Sequence, residues 1–187
     1  MSVEPWVAAT YESPVGDLAV LTDLEGTVWA AGMGSVADVA RQLPADAGDR
    51  GWEKGSQPEV ALAVAAWLEG DADAITAVPV HLEGSSFTVD VWTYMREIPG
   101  GAVASYAELA EMAGRPRASR AVGTACARNR VGIFVPCHRV VQAGGRLGSY
   151  GFGGTGIKAQ LLRLEGVTVD GVGTTARLTE TDRWRRP

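Results

Sequence analysis

The feature that most limits how this chain can fold is a change of character near residue 85. Up to that point, short runs rich in Val, Leu, Thr and aromatics are separated by turn residues, which is a strand pattern. Beyond it, apolar residues recur at helical spacing behind serines that can cap. The charges divide at the same place. Residues 1–85 carry 3 basic and 14 acidic groups, net −11, whereas residues 86–165 carry 10 and 5, net +5. The overall charge of −5 therefore hides a basic second half, and only that half suits a polyanion. The pattern predicts an α+β protein in four parts. A domain built on a small antiparallel sheet spans 1–82 and a linker 83–86; a mainly helical domain spans 87–166 and a tail 167–187.

Strands are expected over residues 7–11, 18–24 and 27–33, with Ser13-Pro14-Val15-Gly16 and Glu25-Gly26 turning the chain between them into a meander. Ser35, with Asp38 three residues on, opens a helix that reaches about residue 43. Residues 44–56 are rich in Gly, Asp and Ala and read as a surface loop. Pro58 starts a second helix, which places Val60, Val64, Trp67 and Leu68 on one face and stops at Gly70. Nothing in this half reads as reactive. His81 has no Cys and no second His within the first 85 residues, so no metal site is expected.

In the second half, Ser86 is placed to cap a helix over 87–97 that turns Phe87, Val91, Tyr94, Met95 and Ile98 inward. Ser105 and Glu108 form a capping box for a short helix ending at Ala113, with Gly114 just beyond. A further helix over 118–127 follows. Helix, tight turn and helix is the outline of a helix-turn-helix, which two packed helices of any small α domain also share. Small residues dominate the second of these helices, and Arg115, Arg117, Arg120, Arg128 and Arg130 surround it with cations able to contact phosphates. Residues 148–156 hold five glycines beside Tyr150 and Phe152, a stretch suited to wrap a flat ligand or simply to flex. A helix over 157–165 comes next, with Ile157, Leu161, Leu162 and Leu164 inward. The tail, ending Arg183-Trp184-Arg185-Arg186, is expected to be exposed and partly disordered.

Chemistry concentrates in Pro136-Cys137-His138-Arg139, set between two β-branched runs. A thiol attacks as the thiolate, and imidazole or guanidinium groups nearby favour its ionisation. On those neighbours alone Cys137 is either a nucleophile or a buried structural thiol. No apolar run approaches the roughly 18 residues that span a bilayer. The first residues lack the basic start and apolar core of a secretion signal. The two cysteines, Cys126 and Cys137, are too few for a disulfide framework, so a reducing cytoplasm is expected.

Ser105-Tyr106-Ala107-Glu108-Leu109-Ala110, Arg117-Ala118-Ser119-Arg120-Ala121-Val122-Gly123, Asn129 and Pro136-Cys137-His138-Arg139-Val140 occur in this order. Together they closely resemble the O6-alkylguanine-DNA alkyltransferases over about residues 87–166. The resemblance implies a ribonuclease-H-like first domain and a winged helix-turn-helix that docks in the minor groove. It also implies flipping of O6-alkylguanine out of the duplex and irreversible, single-turnover transfer of its alkyl group to Cys137. His138 then acts as base through a bound water, Glu165 orients the imidazole, and Tyr106 rotates the base and donates a proton toward O6. Arg120 fills the vacated stack, with Arg117, Ala121 and Gly123 also on DNA. Asn129 and Arg139 give structural support to the active site, Asn129 by tying the helix end to the active-site turn and Arg139 as an ion-pair former rather than a catalyst. Val135, Gly148, Ser149, Tyr150 and Gly151 line the guanine pocket. No cofactor and no metal are implied. The partner is duplex DNA carrying O6-alkylguanine, bound by a monomer with or without cooperativity along the duplex, and no membrane is involved. Two departures stand out: the glycine-rich loop is one residue longer than usual between Tyr150 and Lys158, and Gly151 replaces a Ser or Arg of some members. Alkyltransferase-like proteins bind lesions without an acceptor cysteine, an alternative that Cys137 speaks against. A thiol hydrolase would instead turn over and need an oxyanion hole.

Overall fold

Trp6–Tyr11 (β1), Leu18–Thr22 (β2) and Val28–Met33 (β3) form the antiparallel meander that their turn residues predict. The computed structural model describes residues 4–44, 47 and 50–178. All five residues of β2 are buried, because it is an inner strand covered on both faces. Ala19 and Leu21 point with Trp6, Ala8 and Ala30 toward the short helix Val36–Ala40 (α1). Leu18 and Val20 point the opposite way, into the main core, as the two-residue period of a strand requires.

A fourth strand, Trp52–Lys54 (β4), pairs in parallel with β1 inside the segment read as a surface loop. All three of its residues are exposed, so no alternation marks it in the sequence. Its position follows from Trp6, whose indole N–H donates to the Ala47 carbonyl at 2.8 Å and whose backbone N–H donates to Gly51 at 3.1 Å. The sheet order is β3-β2-β1-β4. Ser35 caps α1 as expected, though the helix ends before residue 43. Pro58–Leu68 (α2) starts on its proline and buries Val60, Val64 and Trp67. The His81 ring stacks on Trp29 at 3.6 Å, a packing role.

Ser86–Glu97 (α3) is capped by Ser85 rather than Ser86, its hydroxyl accepting from Thr88 N–H. The Ser105–Glu108 capping box is complete: each side chain accepts from the other residue's backbone N–H, at 3.2 and 2.6 Å. It opens Tyr106–Met112 (α4) directly after Ala104–Ser105 (β5). Ser119–Ala127 (α5) packs on α4, and Trp92 of α3 donates to the Ala125 carbonyl at 2.9 Å. Val140–Val141 (β6) pairs in parallel with β5. Gly154–Leu164 (α6) begins inside the glycine-rich stretch, three residues before the expected start.

The tail departs further from expectation. Val169–Asp170 (β7) and Arg177–Leu178 (β8) form a small antiparallel pair, and Val167, Val169 and Ala176 are buried against Val103, Val141, Leu147 and Leu162. These scattered apolar residues have no strong local pattern, and it is the surface of α6 that gathers them. Arg183-Trp184-Arg185-Arg186 lies outside the described residues.

One apolar core runs through both halves, from Leu18, Val20 and Trp67 to Val91, Met95, Phe134 and Leu161. The backbone stitches them as well: Ala31 N–H donates to Arg130 at 2.8 Å, and Gly132 N–H to Ala31 at 2.9 Å. Phe152 wedges between Gly32 of β3 and Gly132. A Cβ at either glycine would stand 2.6 or 2.7 Å from its ring, so only glycine admits this approach.

Candidate active site

The site is built on a tight turn that closes Val131 to Val135 with a 2.9 Å backbone hydrogen bond. Ile133, buried in that turn, holds φ at 73°, which costs a β-branched residue on the order of 1–3 kcal/mol. The turn brings the end of α5 against the residues that follow Pro136. Asn129 donates to the Val135 carbonyl at 2.8 Å and to Cys137 Sγ at 3.3 Å, while its own oxygen accepts from Val131 N–H at 3.0 Å. Cys137–Arg139 then forms a single 3-10 turn, so three consecutive side chains point in different directions.

That divergence separates the two basic neighbours of the thiol, and Arg139 takes the structural ion-pair role expected of it. Arg139 is fully buried and directed elsewhere: its guanidinium grips Glu165 at 2.8 and 2.9 Å, and donates to the Ile98 and Ala72 carbonyls at 2.6 Å each. Asp73 stands 3.5 Å away on the exposed side. His138 Nε2 lies 3.0 Å from Glu165 Oε1, an ion-pair distance outside good hydrogen-bond geometry, and Nδ1 is buried without a hydrogen-bond partner among the described residues. Trp67 donates its indole N–H to the same Glu165 Oε1 at 3.1 Å.

The charges settle accordingly. Burial opposes ionisation of Glu165, yet His138 and Arg139 outweigh it and hold the carboxyl at about 2. Burial pushes His138 below its ordinary value against the pull of Glu165, leaving a neutral imidazole at neutral pH. Burial raises the Cys137 thiol, while the Asn129 hydrogen bond and the Lys158 charge favour the thiolate. Lys158 is itself fully buried on α6, donates to the Val140 carbonyl at 2.5 Å, and is lowered by burial to about 8. Cys137 is thus a protonated thiol at rest, close to groups that can stabilise its anion.

An open cleft of about 530 Å³ reaches Cys137. Tyr106 at the start of α4, Arg120 and Gly123 on α5, and Ser149, Tyr150 and Gly151 in the glycine-rich loop all line it. Burial raises the Tyr106 hydroxyl well above its ordinary value, so it remains a proton donor. Arg117 and Ala121 are exposed beside the cleft without lining it. Val135 is buried behind the wall, its carbonyl accepting from Asn129 and from Cys137 N–H. Gly148 also stays behind, next to the Tyr106 hydroxyl. Sequence reasoning passed over Trp67 and Lys158. Lys158 carried a signal, since it shares a helical face with Leu161, Leu162 and Glu165; Trp67 looked like any core aromatic.

Known proteins are similar to this chain in sequence and in fold. The profile of the 6-O-methylguanine DNA methyltransferase DNA-binding domain matches residues 86–167. A methylated-DNA–protein-cysteine methyltransferase of Methanosarcina acetivorans is 36% identical over 160 residues, covering 84% of this chain and 97% of that one. The chain belongs to the methylated-DNA–protein-cysteine methyltransferase family. The human member is 37% identical over 169 residues, covering 84% of this chain and 79% of its own. Among solved structures, the Mycobacterium tuberculosis OGT in complex with DNA superposes with a TM-score of 0.69 at 31% identity, over 86% of this chain and 93% of that one. The family likeness thus extends over the N-terminal sheet as well as the helical half.

Proposed function

We propose that this protein repairs DNA by direct reversal, moving the alkyl group of O6-alkylguanine irreversibly onto Cys137. One observation carries the reading: Cys137, which accepts a hydrogen bond from Asn129, closes a cleft lined by α5 and its Arg120. Residues 87–166 form the DNA-binding unit, a winged helix-turn-helix of α4 and α5 docking in the minor groove, and residues 1–82 a ribonuclease-H-like domain. The lesion is extruded at a cost of a few kcal/mol. Arg120 fills the gap, and Tyr150, Ser149 and Gly151 bracket the base.

The chemistry balances without a cofactor. The thiol proton passes to His138 through a water, and Cys137 Sγ bonds to the alkyl carbon as that carbon's bond to O6 breaks. The guanine anion takes a proton from Tyr106, whose raised hydroxyl is still protonated at neutral pH. The tyrosinate regains a proton from solvent as the His138 imidazolium releases the one it took from the thiol. Glu165 holds His138 ready to accept, a logic shared with other Cys-His-acid sites. Removing the alkyl group from the thioether would require expelling a thiolate, a poor leaving group from an alkyl carbon, so each molecule acts once. The protein works in the cytoplasm as a monomer. Intact mass after incubation with a duplex containing O6-methylguanine tests this: one methyl increment per molecule, mapped to Cys137, is expected. Catalytic turnover, or an adduct on Cys126, would refute it.

A further inference from the structure

The half of the chain without a reactive group nevertheless touches the reactive network. Trp67, on α2, is 98 residues from Glu165 in sequence and 3.1 Å from its Oε1 in space. Buried indole N–H groups need an acceptor. Trp6 and Trp92 find backbone carbonyls, at Ala47 and Ala125. Trp67 instead takes the carboxylate oxygen that faces His138. Four residues beyond the end of α2, the Ala72 carbonyl accepts from Arg139, the other holder of that carboxylate.

We propose that Trp67 is a positioning residue for alkyl transfer: its indole N–H fixes the rotation of the Glu165 carboxylate, and through it the imidazole of His138. This rests on the assignment of Cys137 as acceptor. The groups that face the Glu165–His138 pair are Trp67 from α2, Arg139 from the same turn as His138, and Lys158 from α6, with Cys137 and Tyr150 toward the cleft. Asp73 reaches the pair only through Arg139. An N–H donated to a carboxylate also tempers its basicity. Without it, Glu165 holds the His138 proton more strongly, and neutral imidazole requires a higher pH.

The test is Trp67→Phe, which keeps an aromatic ring and removes the donor. Single-turnover transfer from an O6-methylguanine duplex should slow about tenfold, the scale of one hydrogen bond to a charged group. The acid limb of its pH–rate profile should move upward, with lesion affinity unchanged. In a Glu165→Gln background the same substitution should add little, since both changes act through one carboxylate. An unmoved acid limb, or an equal loss in both backgrounds, would reduce Trp67 to packing and overturn the proposal. If Trp67→Phe does not fold, the indole 15N–H resonance of Trp67 in the wild-type chain decides. It should shift and exchange faster in Glu165→Gln, and an unmoved resonance overturns the proposal. Wild-type protein that forms no methyl adduct would overturn the assigned reaction itself, and this role with it.

Discussion

The two halves of the molecule contribute to the buried network in different chemical currencies. The second half supplies its charged groups, Glu165 and Arg139, and the neutral imidazole of His138, together with Cys137 and Lys158 nearby. The first half supplies mainly neutral contacts, the Trp67 indole N–H and the Ala72 carbonyl, with Asp73 at the exposed margin. Charged residues in a short motif are conspicuous, whereas a tryptophan in a helix and a main-chain oxygen are not. Yet a buried ion pair depends on such neutral partners, because every unused lone pair or proton in a dry interior is costly. A half that is silent in sequence can therefore still govern the chemistry of the other.

The sharpest division between the halves is reactivity, and Cys137→Ser tests it. The hydroxyl fits the space but lacks thiolate nucleophilicity, so the methyl increment should vanish while lesion-duplex affinity stays within about threefold. Transfer by the variant would move the chemistry elsewhere. Next comes the junction. Arg139→Leu leaves Glu165 without its guanidinium and cuts the bonds to Ile98 and Ala72, which should cost about 3–5 kcal/mol. Denaturant unfolding measures this, and a loss under about 1 kcal/mol would mean that the guanidinium does not join the halves.

Acid should weaken the same junction. Glu165 titrates near 2 folded against 4.5 in its reference state, so the stability from its ionised form is complete above about pH 4.5. It is lost as the pH falls toward 2, on the order of 3 kcal/mol. His138, held below 6.5 by burial, adds a loss of the same sign once the pH drops beneath that value, because the unfolded chain binds the proton first. The Glu165 carboxyl, followed by 13C NMR in the folded protein, should therefore stay ionised well below pH 4.5. Titration at or above 4.5 would remove Glu165 from the account. The smallest effect concerns the basic face alone. Arg120→Ala should slow repair of a duplex lesion by about 2 kcal/mol, roughly thirtyfold, while scarcely changing reaction with free O6-benzylguanine, which needs no flipping. Equal slowing of both would place Arg120 in support of the fold instead.

Much of this was legible residue by residue. The capping box at Ser105 and Glu108, the turns of the meander and the proline that opens α2 depend on neighbours within four positions, and each formed as read. The spaced motifs from Tyr106 to Val140 were enough to name a family, and in the structure their Tyr106, Arg120 and Cys137 line one cleft with Tyr150. Other features depended on partners far along the chain. Strand β4 exists because Trp6 draws its segment alongside β1, and the tail folds back because α6 offers it an apolar surface. Side-chain direction was hidden: Arg139 was legible as a structural ion-pair former, but only the 3-10 turn and the packing of α6 show that its partner is Glu165. Local hydrogen-bonding rules and periodicity act over a few residues, so the sequence alone determined the locally capped helices, the meander and the family, and singled out Cys137 as the candidate nucleophile. What surrounds a buried charge is settled only when distant segments pack, and the tertiary structure alone decided that Trp67 and Ala72 complete the network.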